Sequence, residues 1–206
     1  MKLPGVLGAR GRTAVLALLA PLAAGCMTQD KVVPAINEVN QVFRNQYESI
    51  LAQKGTRVFA LPRERTFAGV RSALSQLGMR MNGQDADLGY LNFSAPAPVP
   101  LNMQEWGEVA RADLPLMREI AARHVGLIPS WFLSFEPEGL EIVINATVVP
   151  TAAASEVSLT ARMRQVTPPP SGIPRREYAP PTGVHKAIDK IWAQVERELG
   201  VKGRSP

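Results

Sequence analysis

Cysteine is nearly absent from this chain, in which Cys26 is the one example among 206 residues. A single thiol cannot form an intramolecular disulfide, so burial of apolar surface has to hold the folded chain together. The thiol also cannot complete a zinc site. Only two histidines accompany it, His124 and His185, and neither has a second ligand at helical or hairpin spacing. We therefore expect no metal centre.

Long apolar runs are also missing. The longest, residues 13–22, has ten residues, about half of the ~20 that a membrane-spanning helix needs. Small residues follow it, and only cations precede it among the charged groups: Lys2, Arg10 and Arg12. This order is typical of a secretory signal peptide. We therefore predict that residues 1–25 are removed.

The residues around the predicted cleavage point, Leu22-Ala23-Ala24-Gly25-Cys26, resemble the lipobox of bacterial lipoproteins. In that family the cysteine is diacylated and becomes the new N-terminus, so the resemblance implies lipidation of Cys26 and attachment to a membrane by acyl chains. The alternative is an ordinary signal peptide cut near Ala24. That alternative would leave an unpaired thiol in an oxidising compartment, which favours acylation.

The residue after the cysteine bears on location. In the sorting rules of enterobacterial lipoproteins, aspartate at this place favours retention in the inner membrane. Position 27 is Met. The resemblance therefore implies the periplasmic face of the outer membrane, with the inner membrane as the alternative.

An excess of basic charge is also lacking once the signal peptide is removed. The full chain carries 23 basic and 18 acidic residues, a net charge of +5. Loss of residues 1–25 removes three basic residues and no acidic one. The remaining chain has 20 basic and 18 acidic residues, and its net charge falls to +2. No basic run with interleaved aromatic residues remains. We expect no nucleic-acid partner.

Apolar periodicity predicts the elements of the remaining chain. It indicates helices over residues 34–54, 62–77, 103–125 and 184–199 and strands over 56–61, 79–81, 89–95, 130–135, 140–149 and 156–165. Strands of alternating character and helices with one apolar stripe favour an α+β fold. We predict a mainly antiparallel sheet of about five to six strands, in the order β-α-β-β, β-β-β, α, with helices on one face and an amphipathic helix in front.

Within this fold we predict one domain over residues 34–200, preceded by a tether at 26–33 and followed by a flexible tail at 201–206. Residues 101–125 form a helical insertion, which we expect to break at Asp113-Leu114-Pro115, with Asp113 as the N-cap of its second part. A proline-rich loop spans 166–183. The turn at 136–139 is expected to join two strands into a hairpin.

The segment LPRERTFAGVRSALSQLGMRM and the later GYLNFSA place a strand, a helix, an acidic turn and a strand in succession. This order resembles small helix-grip modules of envelope lipoproteins, among them accessory subunits of the outer-membrane β-barrel assembly machinery. The resemblance covers residues 56–95 and, more loosely, 130–200. It implies an accessory or assembly role and an envelope protein as partner.

Catalytic signatures are missing as well. There is no G-x-S-x-G, and Ser130, Ser134 and Ser155 lie in strand or loop contexts. Carboxylates stand close together in three sets, which are Glu105 with Glu108, Asp85 with Asp87, and Glu136 with Glu138 and Glu141. Turn chemistry and solvated faces explain these sets. No glycine-rich phosphate loop occurs, so we expect neither an enzyme nor a cofactor.

One stretch is a candidate surface for a partner. Arg175, Arg176, Glu177 and Tyr178 lie between proline clusters that would hold them extended, and Trp106 would line a groove in the insertion. The alternatives are a rigid connection and a core tryptophan. We therefore expect a non-catalytic lipoprotein acting through protein contacts. Binding of a lipid or other apolar ligand between sheet and helices is the second hypothesis, and an envelope hydrolase is the third.

Overall fold

The computed structural model describes residues 29–131 and 133–206, so Cys26 and the predicted signal peptide lie outside the described residues. The helices are α1 (Gln29–Lys54), α2 (Arg63–Gln76), α3 (Met103–Val125), α4 (Leu127–Trp131) and α5 (Pro181–Leu199). The strands are β1 (Thr56–Phe59), β2 (Arg80–Asp85), β3 (Tyr90–Pro96), β4 (Leu140–Pro150) and β5 (Ser155–Gln165). No helix in this part of the chain is both long and apolar enough to span a membrane.

All described strands pair antiparallel in one sheet of five, in the order β1-β5-β4-β3-β2. The α+β class is therefore confirmed. The long hairpin of β4 and β5 forms the centre of the sheet, and each of these strands has 11 residues. Their burial alternates residue by residue, which is expected where one face of a sheet is covered and the other is not.

The predicted strand over residues 130–135 is wrong, and so is the predicted hairpin at 136–139. Residues 127–131 form the short helix α4, in which the Ser130 hydroxyl donates to the Leu127 carbonyl at 2.6 Å. Short apolar runs fit a strand or a helix equally well by pattern alone. Both sides of β4 are already occupied by β3 and β5, so this segment has no place beside it.

The predicted break in the insertion is also wrong, because α3 continues through Pro115. Asp113 does not cap α3 but is buried against the start of α5. Its carboxylate accepts from the Thr182 backbone N–H at 2.9 Å and from the Thr182 hydroxyl at 2.7 Å. It therefore satisfies a free N–H in the first turn of another helix. Burial raises the pKa of Asp113, and the two bonds from Thr182 oppose that rise.

The core lies between the sheet and the helices. Phe67, Leu74, Ile188 and Trp192, expected from the sequence to face the sheet, are all buried there. Trp192 is fully buried, and its indole N–H donates to the carbonyl of Lys54 at 2.7 Å. This bond joins the middle of α5 to the end of α1.

Both ends of the described chain are more ordered than expected. Helix α1 begins at Gln29, so it includes most of the segment predicted as a tether. Near the C-terminus, the backbones of Val58 and Arg204 exchange hydrogen bonds of 2.8 and 2.9 Å. One residue of the predicted tail, Arg204, thus pairs with the outer side of the edge strand β1, and at that point it shields the edge from other chains.

Candidate binding surface on the open face of the sheet

The proline-rich loop is fastened to α1 through its backbone. The Asn40 amide donates to the carbonyl of Arg175 at 3.0 Å, and its oxygen accepts from the N–H of Glu177 at 3.2 Å. The Tyr178 ring lies 5.8 Å from the ring of Tyr47 and is half-buried. Of these loop side chains, those of Arg175 and Glu177 remain exposed.

Trp106 and Arg176 meet at one buried aromatic ring. The indole of Trp106 is buried, stacks on Phe135 at 5.2 Å between ring centroids and donates to its carbonyl at 3.0 Å. The guanidinium of Arg176 lies 5.6 Å from the centroid of the same ring. Burial lowers the pKa of Arg176. The structure therefore joins these two residues through Phe135, inside the fold rather than on a shared outer surface.

Four of the candidate catalytic carboxylates are engaged in structural contacts, whereas the side chains of Asp87, Glu136 and Glu138 are exposed. Glu105 and Glu108 of α3 form ion pairs with Lys190 and Lys186 of α5, each at 2.7 Å. The Asp85 carboxylate accepts from a backbone N–H in the turn after β2, and Glu141 pairs with an arginine of β5. Among residues 29–131 and 133–206, no three His, Cys, Asp or Glu side chains come together as a metal site.

The pair between Glu105 and Lys190 predicts a pH effect. Burial raises the pKa of Glu105, but hydrogen bonds from Lys190 and the Asn102 backbone outweigh it, so the pKa lies below 4.5. A depressed carboxyl pKa contributes stability above the unfolded pKa, and this is lost as the pH falls through the folded pKa. In denaturant unfolding, Glu105→Gln should lose less stability than wild type on going from about pH 7 to about pH 3. The exposed substitution Glu64→Gln is the control, and an equal loss in all three proteins would contradict the prediction.

The other face of the sheet carries a continuous polar surface. Side chains on this face do not belong to the buried apolar core, and most of the side-chain hydrogen bonds they make are to one another. We call it the open sheet face. Across β1 to β5 its members are Thr56, Val58, Arg80, Asn82, Asp85, Tyr90, Asn92, Ser94, Glu141, Val143, Asn145, Thr147, Val149, Glu156, Ser158, Thr160, Arg162 and Arg164.

A row of amides crosses the middle of this face. Asn92 lies directly opposite Asn145, which lies directly opposite Thr160. The bonds run from Asn82 to Asn92 at 3.0 Å, from Asn92 to Asn145 at 2.6 Å and from Asn145 to Thr160 at 3.2 Å. The hydroxyl of Tyr90 also donates to the Asn145 oxygen at 2.8 Å. We call these four linked residues, Asn82, Asn92, Asn145 and Thr160, the amide row.

The amide row has hydrogen-bonding capacity left for a partner. Each asparagine amide carries two N–H donors and an oxygen with two lone pairs, and the row uses one N–H of each. The charged side chains around it are of both signs and include Arg80, Arg162, Glu141 and Glu156. An uncharged row of amides with an aromatic residue at its side fits a polar partner that presents its own donors and acceptors.

The sequence analysis did not single out the asparagines of this row. It predicted that one side of residues 156–165 faces water, and the structure confirms that alternation. An asparagine at an outward position in each of β3 and β4 is the signal that could have found the row. Asn82 could not be placed from sequence, because a bulge between Met81 and Gly83 shifts the register there.

Known proteins offer no assignment for this chain. No protein-family model, no curated protein and no solved structure matches it.

Proposed function

We propose that this protein is a non-catalytic lipoprotein, anchored through acyl chains on Cys26 at the periplasmic face of the outer membrane, that acts as an accessory or assembly factor by binding an envelope protein. The open sheet face is the surface we assign to that partner. The observation that carries the proposal is that the described helices pack on one face of the five-stranded sheet, while the other face carries the linked amide row.

The position of the first helix agrees with an anchor at Cys26. Helix α1 starts at Gln29, three residues after the cysteine. Three extended residues span at most about 10 Å. The folded domain would therefore begin close to the membrane surface, with its first helix as the link to the anchor.

The two other hypotheses have less support. Binding of a lipid between sheet and helices needs a long apolar cavity, whereas the pocket between the sheet, α3 and α5, beside Trp106 and Val184, holds about 20 Å³. That is space for about one water molecule. A hydrolase needs free carboxylates that converge, whereas Glu105 and Glu108 face lysines of α5.

Photo-cross-linking tests the assigned surface. A photoreactive residue in place of Tyr90 or Arg162, both exposed on the open sheet face, should give the same single adduct in intact cells. The matched controls are Ala68 of α2 and Ala193 of α5, which are exposed on the helical side and should give none. Adducts of equal yield from all four positions, or none from the open sheet face, would overturn the assignment.

The amide row should matter more for binding than for folding. Asn145→Ala removes the centre of the row, but the site is half-exposed and water replaces the lost bonds, so the free energy of unfolding should change by only about 1 kcal/mol. Capture of the cross-linked partner should fall by roughly ten-fold, since one good polar contact in an interface is worth about that much. Asn45→Ala, the same change on the exposed face of α1, should leave both quantities unchanged. If Asn145→Ala captures as much of the cross-linked partner as wild type does, the amide row does not contribute to binding.

A further inference from the structure

Large apolar side chains are exposed together on α4. Leu127, Ile128 and Trp131 are 61%, 72% and 64% exposed within a helix of five residues. Residues three and four positions apart are neighbours on a helix surface. Trp131 is four residues after Leu127 and three after Ile128, so the three side chains form one patch around Trp131. We call it the α4 patch. An apolar cluster of this kind on a water-soluble surface marks a site of contact with another phase or molecule.

The α4 patch lies at the end of the domain where α1 begins. Near one end of the helical layer, Lys54 of α1 and Glu105 of α3 bind adjacent residues of α5. Towards the other end, Glu38 of α1 bonds His124 of α3 at 2.6 Å. Helices α1 and α3 are therefore antiparallel. The start of α1, the end of α3 and the α4 patch that follows α3 share one end of the molecule.

The proposed anchor is at the same end. Going back from Glu38 to Gln29 takes nine helical residues, about 13 Å. Cys26 lies three residues further, at most about 10 Å beyond. Acyl chains on Cys26 would thus hold this end of the domain within reach of the bilayer surface.

The chemistry of the α4 patch fits the interfacial region of a bilayer. Tryptophan prefers that region because its ring is apolar and its N–H remains polar, and leucine and isoleucine supply apolar area. Between α4 and α3 runs a groove of about 580 Å³ whose lining includes Pro115, Ala122 and Arg118. Arg118 takes part in none of the ion pairs in the described part of the chain. One of its N–H groups donates to the carbonyl of Leu133 at 3.2 Å, and Glu119 lines the same groove.

We infer that the α4 patch inserts into the headgroup and upper acyl region of the membrane that carries the anchor. This inference rests on the proposed acylation of Cys26. The acyl chains alone would attach the domain at one point and would not fix its orientation relative to the membrane. The α4 patch supplies a second point of contact and so fixes which surfaces of the domain face the periplasm.

Tryptophan fluorescence tests the inference without any added label. The chain has three tryptophans; Trp106 and Trp192 are 4% and 0% exposed, whereas Trp131 is 64% exposed. The acylated full protein is placed in phosphatidylethanolamine and phosphatidylglycerol vesicles whose acyl chains carry bromine, a contact quencher. We expect quenching relative to unbrominated vesicles, and we expect Trp131→Phe to remove it.

Variants of the α4 patch provide the comparison. The double substitution of Leu127→Ser with Ile128→Ser should lower the quenching of Trp131 by roughly half or more, since apolar area drives insertion. Met103→Ser changes a side chain that is 60% exposed at the opposite end of α3 and should leave the quenching as in wild type. Circular dichroism of each variant confirms that it is folded.

The possible outcomes distinguish failure of the membrane contact by the α4 patch from failure of the proposed anchor. No quenching of Trp131 in acylated protein would overturn the membrane contact while leaving the anchor intact. If mass analysis finds no acyl chain on Cys26, the anchor fails, and the same vesicles are titrated with the unacylated protein. Quenching then sustains the α4 patch, and its absence overturns it. A Trp131 emission shift with a protein from detergent-solubilised envelopes, without vesicle quenching, would assign the patch to a protein instead.

Discussion

Trp192→Ala is expected to lower the free energy of unfolding by about 3–5 kcal/mol, the usual cost of removing a fully buried tryptophan side chain. Trp192 is 0% exposed and connects three parts of the fold. Its ring packs 6.1 Å from that of Phe59, Arg57 lies over its face at 5.2 Å, and its N–H bonds the carbonyl of Lys54. Alanine would leave a cavity between α5, β1 and the end of α1.

Denaturant unfolding followed by circular dichroism measures this effect. Trp192→Phe keeps most of the apolar volume but leaves the carbonyl of Lys54 without its buried donor, so it should cost about 1–3 kcal/mol. Trp131→Phe is the matched control, because Trp131 is exposed, and it should change stability by less than about 0.5 kcal/mol. A similar stability for Trp192→Ala and Trp131→Phe would contradict the packing described for α5.

Cys26→Ala is expected to release the protein from the membrane and to abolish its labelling by a fatty-acid probe. Each buried methylene contributes about 0.8 kcal/mol of anchoring, and two or more chains are needed for a stable attachment. Without the thiol there is no site for acylation, and the described helices offer no membrane span to replace it. The α4 patch alone would give only weak, reversible binding.

Fractionation of cells into soluble and membrane parts measures the release. Thr28→Ala, two residues after the cysteine, is the control and should remain in the membrane fraction with normal labelling. If Cys26→Ala is labelled and sediments as wild type does, the lipoprotein hypothesis is wrong.

The local pattern of apolar residues was sufficient to predict an element where one face of that element is buried along its whole length. The strand predicted over 156–165 is found as Ser155–Gln165, and the closing helix predicted from residue 184 is found as Pro181–Leu199. In both elements the buried residues recur with the period of the element, so sequence and packing give the same answer.

Local pattern failed where the outcome depends on residues distant in sequence. Residues 130–135 read as a strand, but the place beside β4 was already taken by β3 and β5. Asp113, close to Pro115, was predicted to begin a helix. Its carboxylate instead accepts hydrogen bonds from Thr182 in the first turn of α5, 69 residues away. A cap supplied by another helix leaves no local signal.

The candidate surface depends on register in the same way. Asn92 and Asn145 become neighbours only because β3 and β4 pair in one specific register, and sequence does not fix that register without the turn and the buried face. The sequence allowed two positions for Trp106, a groove or the core. Its N–H donates to the buried carbonyl of Phe135, which places it in the core. The sequence analysis did not predict the exposed α4 patch, because it assigned Trp131 to a strand.

The intact mass of the protein extracted from membranes in detergent tests the central proposal most directly. The account predicts a chain of residues 26–206, lacking the 25 residues before Cys26, with the added mass of diacylglycerol on the cysteine. Fragmentation should locate that added mass on Cys26. A chain that retains residues 1–25, or one that begins near Cys26 with an unmodified thiol, would contradict the account.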